Sequence, residues 1–313
     1  MKEIGGYFEL DAYFGKMLHD DGIKLNSGRN ALAYLIKAKK ITKLYMPFFM
    51  CDACDDVLKK NGVEVVRYHI GLDFKPIIDK RNGWLYLVNF YGQLDNHYLK
   101  TLGENIIVDN AHAYFQKPID NVDTIYTCRK FFGVPDGSIL FTDKQIGGFG
   151  RDESFKKMTH ILGRTERTAS EFYKDYIANE NAFANEKIKY MSYLTENLLH
   201  KLNYGFIKKR RSDNFKFLHQ HFSAVNKLKK LSIPVGAYAY PLYLENGYEI
   251  RKELINKKIY VPLLWPSVFL NCKENDLEWD MAKNILPIPI DQRYNLADMQ
   301  YIVDTIFDLI KNI

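Results

Sequence analysis

Between residues 25 and 145, short apolar runs alternate with segments whose apolar positions recur every three to four residues. That alternation is the pattern of a mostly parallel sheet fed and covered by helices. It predicts strands at 43–46, 63–68, 84–90, 105–109, 123–127 and 137–142, and helices at 28–39, 52–61 and 94–102. In sheets of this kind ligands bind beyond the C-terminal ends of the strands. Polar residues directly after a strand are therefore the first candidates for chemistry.

From 151 to about 203 the chain is rich in charged and aromatic residues and poor in turn signals, which predicts long helices leaving the first unit. A second α+β unit follows, with strands at 237–244 and 284–290 and helices at 213–230, 247–256 and 295–312. A chain of 313 residues exceeds what one ordinary core organises. The reading is a large unit over 1–200 and a small C-terminal one over 201–313.

Composition narrows the choice of partner. The chain is 47% hydrophobic and 26% charged, as in ordinary globular proteins. It has no run approaching the roughly 18 apolar residues of a membrane helix and no signal-like start, so no membrane association and a cytoplasmic location are expected. The net charge of +6 comes from basic residues interleaved with acidic ones, which favours small anionic molecules over nucleic acid. Four unevenly spaced cysteines do not make a disulfide framework. Cys51 and Cys54 form a C-x-x-C without a second ligand pair, and no metal is expected.

The chemistry concentrates after two strands. The run IIVDNAHAYF closes a buried strand with Asp109 and places His112 three residues on. The next strand, DTIYT, ends at Thr127 and leads through Cys128 and Arg129 to Lys130, ahead of the turn FFGVPDG. A lysine between two buried strands is badly placed for a solvated surface charge, and a buried amine must find a partner or lose its proton. Both features are met if Lys130 holds pyridoxal 5′-phosphate (PLP) as an imine and Asp109 faces the pyridine nitrogen, favouring the protonated ring that makes PLP an electron sink. The freed lysine would then serve as general base and acid. On spacing alone, a capping aspartate and an unrelated turn lysine remain the alternative.

A phosphate needs its own seat. Ser27, Gly28, Arg29 and Asn30 open an apolar-periodic helix, where unpaired backbone N–H groups and the helix dipole attract an anion. Thr127 adds a hydroxyl on the strand leading to Lys130.

Taken in order, SGRNAL, FYGQ, VDNAHA, the lysine and FFGVPDGS resemble the DegT/StrS-type PLP-dependent sugar aminotransferases of the aspartate-aminotransferase superfamily. The likeness covers residues 25 to 145 motif by motif, and continues more loosely through RRSDNFKFL, YAYPLYL, IYVPLLWP and LPIPIDQRY. It implies the fold type I PLP-transferase architecture: a mostly parallel seven-stranded sheet with helices on both faces, plus a smaller α+β domain. It also implies that Lys130 bears the cofactor, that Asp109 pairs with the ring nitrogen and that His112 lies near the ring hydroxyl. Arg29 and Asn30 fall where backbone amides meet the phosphate, and Thr127 takes the place of a phosphate-binding serine. A homodimer is implied as well.

Three departures stand out. Cys51 occupies the position where the family stacks an aromatic ring on the cofactor. The hydroxyl-to-lysine spacing, T-C-R-K, is two residues short. The family's N-x-R segment is replaced by 150–173, in which Arg151, Arg164 and Arg167 are candidates for a substrate anion, although each reads better as an ordinary helix-surface ion pair. The expected function is amino transfer from an amino acid, glutamate in the first instance, to a nucleotide-linked keto sugar. The alternatives are a PLP-binding sensor or scaffold without turnover and another PLP reaction on the same fold.

Overall fold

The structure is a computed structural model, and it describes residues 4–312. Its larger sheet contains β1 (Ile23–Leu25), β2 (Lys43–Pro47), β3 (Glu64–Ile70), β4 (Pro76–Ile77), β5 (Trp84–Val88), β6 (Ile106–Asp109), β7 (Asp123–Thr127) and β8 (Ser138–Phe141). The spatial order is β1-β8-β7-β6-β5-β2-β3-β4. The five strands from β7 to β3 run parallel, while β8, β1 and β4 pair antiparallel at the edges. The mostly parallel sheet is as expected, with eight strands rather than seven. The short β1 and β4 carry too few residues to show an alternation.

Successive residues of β2, β5 and β7 are buried, so both faces of the sheet are covered. The first cover is α1 (Gly28–Lys39), whose Ala31, Leu32, Leu35 and Ile36 are buried. It begins where the Ser27 hydroxyl accepts from the Asn30 N–H and ends at Lys40 in the left-handed conformation. Two short helices, α2 (Asp55–Lys60) and α3 (Asn96–Lys100), fill the next crossovers.

The segment after β8 departs from expectation. Instead of long helices it forms α4 (Thr159–Glu166), α5 (Tyr173–Ala182) and α6 (Tyr193–His200). No residue of α4 is buried and only Asn179 of α5 is. Without an apolar stripe to bury, these helices gain nothing by lengthening.

The long α7 (Tyr204–Phe222) lies nine residues earlier than its predicted start. A two-stranded antiparallel sheet of β9 (Ala239–Tyr243) and β10 (Ile285–Pro289) follows, with α8 (Gly247–Asn256), α9 (Val268–Asn271), α10 (Leu277–Asn284) and α11 (Leu296–Asn312). Phe215, Leu218, Leu242, Leu254, Leu286, Ile288 and Ile306 form a core of their own between these elements. The link to the larger sheet is made by Trp265, Val268 and Ile285, which pack into its core.

Candidate active site

The register of the sheet sets the site. On β6, Asp109 lies opposite Val88 of β5 and Ile125 of β7. Thr127 ends β7 two residues beyond, and Lys130 follows in the turn. The ends of β2, β6 and β7 thus bring Cys51, Asp109 and Lys130 to one rim, and the N-terminus of α1 stands beside it.

Lys130 is held by its neighbours. Arg129 makes a two-pronged ion pair with Glu180 of α5 at 2.6 and 2.8 Å and lies 4.0 Å over the Phe183 ring. The Phe131 carbonyl accepts from Arg211 at 3.2 Å and from Gln292 at 2.9 Å. The expectation of a buried lysine is corrected: its side chain is exposed, and among the described residues its ammonium has no hydrogen-bond or ion-pair partner. The burial in this turn is carried by Cys128, Phe131 and Phe132. The Lys130 Nζ stands 5.8 Å over the Tyr238 ring.

Asp109 is half-buried. Its Oδ1 accepts from the Ala111 N–H at 2.8 Å and its Oδ2 from the Tyr86 hydroxyl at 2.8 Å. Burial pushes its carboxyl above the ordinary value, while the Lys130 charge, Ala111 and Tyr86 pull it back down. The two charged groups expected to share a ligand are therefore within electrostatic reach of each other. Cys51 belongs to the same cluster, since burial raises its thiol, Lys130 opposes that rise and Asp109 adds to it. The C-x-x-C is reduced, with Cys51 half-buried and Cys54 buried.

His112 is buried, and among the described residues its Nδ1 has no hydrogen-bond partner. Its ring stacks on Tyr238 at 4.4 Å and on Trp265 at 5.6 Å, with interplanar angles of 19° and 25°. Burial first, and the Lys130 charge second, hold the imidazole well below its ordinary 6.5. Two bulky neighbours, Tyr91 and Trp265, adopt left-handed backbone at φ 53° and 57°. Such conformations cost about 1–3 kcal/mol each and persist only where packing enforces them.

At the anion seat, a Cβ added to Gly28 would lie 2.8 Å from the Thr127 Oγ1. Helix start and strand end therefore approach as closely as glycine permits. The Asn30 N–H is bonded to Ser27 Oγ, and its side chain to Asn26 and the Lys187 carbonyl. Among the described residues this leaves the N–H groups of Gly28 and Arg29 as open donors. Arg29 is half-buried beside Cys54.

The arginines after β8 fall elsewhere. Arg151 pairs with Glu196 at 2.8 Å and stacks 4.0 Å over Tyr193. Arg167 pairs with Glu171 on the surface, and Arg164 is exposed on α4. Tyr86, Arg211, Tyr238 and Trp265 were missed as site residues. Tyr86 looked like one more apolar strand position. The other three lie in RRSDNFKFL, YAYPLYL and IYVPLLWP, where the likeness is loose, and reach the site only through the packing of the C-terminal elements.

No protein-family model matches the chain, and no curated protein does. Solved structures do. DesV of S. venezuelae, solved with a ketimine intermediate, superposes with a TM-score of 0.65 at 14% identity, over 92% of this chain and 84% of that one. The sugar aminotransferase Spr1654 of Streptococcus pneumoniae, in its PMP form, gives 0.63 at 15% identity, over 91% and 86%. A DegT DnrJ EryC1 StrS aminotransferase from Brucella abortus gives 0.58 at 15%, over 92% and 85%. The chain thus has the fold of these aminotransferases across nearly its whole length.

Proposed function

We propose that this protein is a PLP-dependent aminotransferase that takes an amino group from an amino acid, glutamate in the first instance, and delivers it to a keto sugar, nucleotide-linked by analogy with its structural neighbours. The observation that carries the reading is the meeting of Asp109, Lys130, Cys51 and His112 at one rim, beside a helix N-terminus that approaches Thr127 with no room for a Cβ.

The residues fit the cofactor on several counts. The phosphate would lie on the open N–H groups of Gly28 and Arg29 and on the hydroxyls of Ser27 and Thr127, an anion seat at the start of α1. Asp109, with one fixed donor on each oxygen, would offer its remaining acceptor capacity to the ring nitrogen. The orphaned Nδ1 of His112 is a polar atom awaiting a partner. Cys51 would cover one face of the ring with a small, polarisable side chain.

When bound, PLP supplies an electron sink for charge developing at the substrate carbon. Lys130 would hold the cofactor through Nζ and, once displaced as the free amine, move a proton to and from the substrate carbon, a role its exposed position allows. The Tyr238 ring, 5.8 Å away, gives the Lys130 ammonium a face to rest against. A homodimer is part of the proposal: Tyr7, Phe8 and Phe14 of the N-terminal segment are almost fully exposed in the single chain, as residues awaiting a second copy are.

The experiment is a half-reaction. Purified protein loaded with PLP and mixed with glutamate releases one equivalent of 2-oxoglutarate per site and ends as the pyridoxamine form. If no amino donor tried yields its own 2-oxo acid together with the pyridoxamine form, amino transfer is contradicted and a binding role without turnover is favoured.

A further inference from the structure

Tyr86 stands opposite Ile107 of β6, one step of two residues before the Val88–Asp109 pair. In neighbouring parallel strands, paired residues share a face, and so do residues two apart. Tyr86 and Asp109 therefore point to the same side of the sheet on a diagonal that a long aromatic side chain can span. The ring of Tyr86 is buried and its hydroxyl donates to Asp109 Oδ2 at 2.8 Å. The Ala111 N–H donates to the other oxygen at 2.8 Å. Two donors, one on each oxygen, one from the middle of β5 and one from the turn after β6, fix the rotation of the carboxylate plane before any ligand arrives.

We infer that Tyr86 is a positioning residue for Asp109: its hydroxyl sets the direction from which the acid meets the ring nitrogen of the cofactor and helps keep the acid charged. This rests on the functional reading given above. A phenol suits the task because it remains a donor. Burial and the adjacent Asp109 charge push Tyr86 well above the ordinary tyrosine value, so it does not ionise beside the carboxylate. Phenylalanine at this position would pack the same space and leave Oδ2 without its donor.

The test is Tyr86→Phe, followed in two ways. In cofactor-free protein labelled with 13C at aspartate Cγ, with the Asp109 resonance assigned through Asp109→Asn, the Asp109 titration midpoint moves up by about one pH unit. Thermal stability and far-UV circular dichroism stay close to those of the parent. In protein loaded with PLP labelled with 15N in the ring, the nitrogen resonance moves towards its unprotonated position. A superimposable Asp109 titration, or an unchanged ring-nitrogen resonance, overturns the inference. A parent protein that never takes PLP onto Lys130 but still shows the Asp109 shift overturns the functional reading instead and leaves the coupling between Tyr86 and Asp109 standing.

Discussion

His112 and Tyr238 stack with ring centroids 4.4 Å apart and planes 19° from parallel, joining the turn after β6 to the lead-in of β9. A backbone bond from the Tyr238 N–H to the His112 carbonyl, at 3.3 Å, reinforces the pair. Arg211 holds the other side by donating to the carbonyls of Ala237 and Tyr238. The C-terminal elements thus reach the candidate site through an aromatic contact with His112.

That contact carries a pH dependence of definite sign. Folded His112 resists protonation, whereas the unfolded chain protonates near 6.5. Unfolding therefore takes up a proton, and stability falls as pH drops below about 6.5, by up to about 1.4 kcal/mol per pH unit from this residue. Buried His19, also held below its ordinary value, adds in the same direction. In His112→Phe, which keeps a stacking ring, urea unfolding of the cofactor-free protein between about pH 5 and 7.5 shows a shallower slope. An unchanged slope would contradict the assignment.

Gly28→Ala separates structure from binding. The added methyl meets Thr127 Oγ1 at 2.8 Å, and the overpacking costs about 1–3 kcal/mol. Removing the hydroxyl in the double variant Gly28→Ala, Thr127→Ala restores most of that stability. Affinity for PLP, followed by fluorescence titration, stays at least about tenfold weaker in both, since one loses the close approach and the other a donor as well. Full recovery of affinity in the double variant would mean that the phosphate lies elsewhere.

The ion pair between Arg129 and Glu180 ties α5 to the lysine turn. It is only partly exposed, with one Nη2 between both carboxylate oxygens, so Glu180→Ala costs about 1 kcal/mol, the upper end for a surface pair. Amide exchange in Tyr173–Ala182 accelerates, because α5 buries almost nothing else. Unchanged exchange in that helix would show that the pair contributes no order there.

The sequence made the sheet legible where apolar runs were long enough to have a period. β7 (Asp123–Thr127), α1 (Gly28–Lys39) and α8 (Gly247–Asn256) match their predicted limits. It failed at β1 and β4, which are too short, and over 151–203, where charged and aromatic residues mimic helix composition without a stripe to bury. The rim at Asp109 and Lys130 was readable because both follow strands whose parallel neighbours fix where their ends lie. The environment of Lys130 was misread, since the apolar residues flanking it bury themselves and leave the ammonium exposed. Tyr238 and Trp265 lie in the loosely similar YAYPLYL and IYVPLLWP, yet no role could be read for them: they arrive from more than a hundred residues away, and only tertiary packing brings them to His112.

In the proposed function Lys130 Nζ is the atom that would hold the cofactor. Protein incubated with PLP, reduced with borohydride and digested should carry a single pyridoxyl group on the peptide containing Lys130, and Lys130→Ala should carry none at any lysine under the same conditions. A label on another lysine in the parent protein, or an undiminished label in Lys130→Ala, would contradict the account.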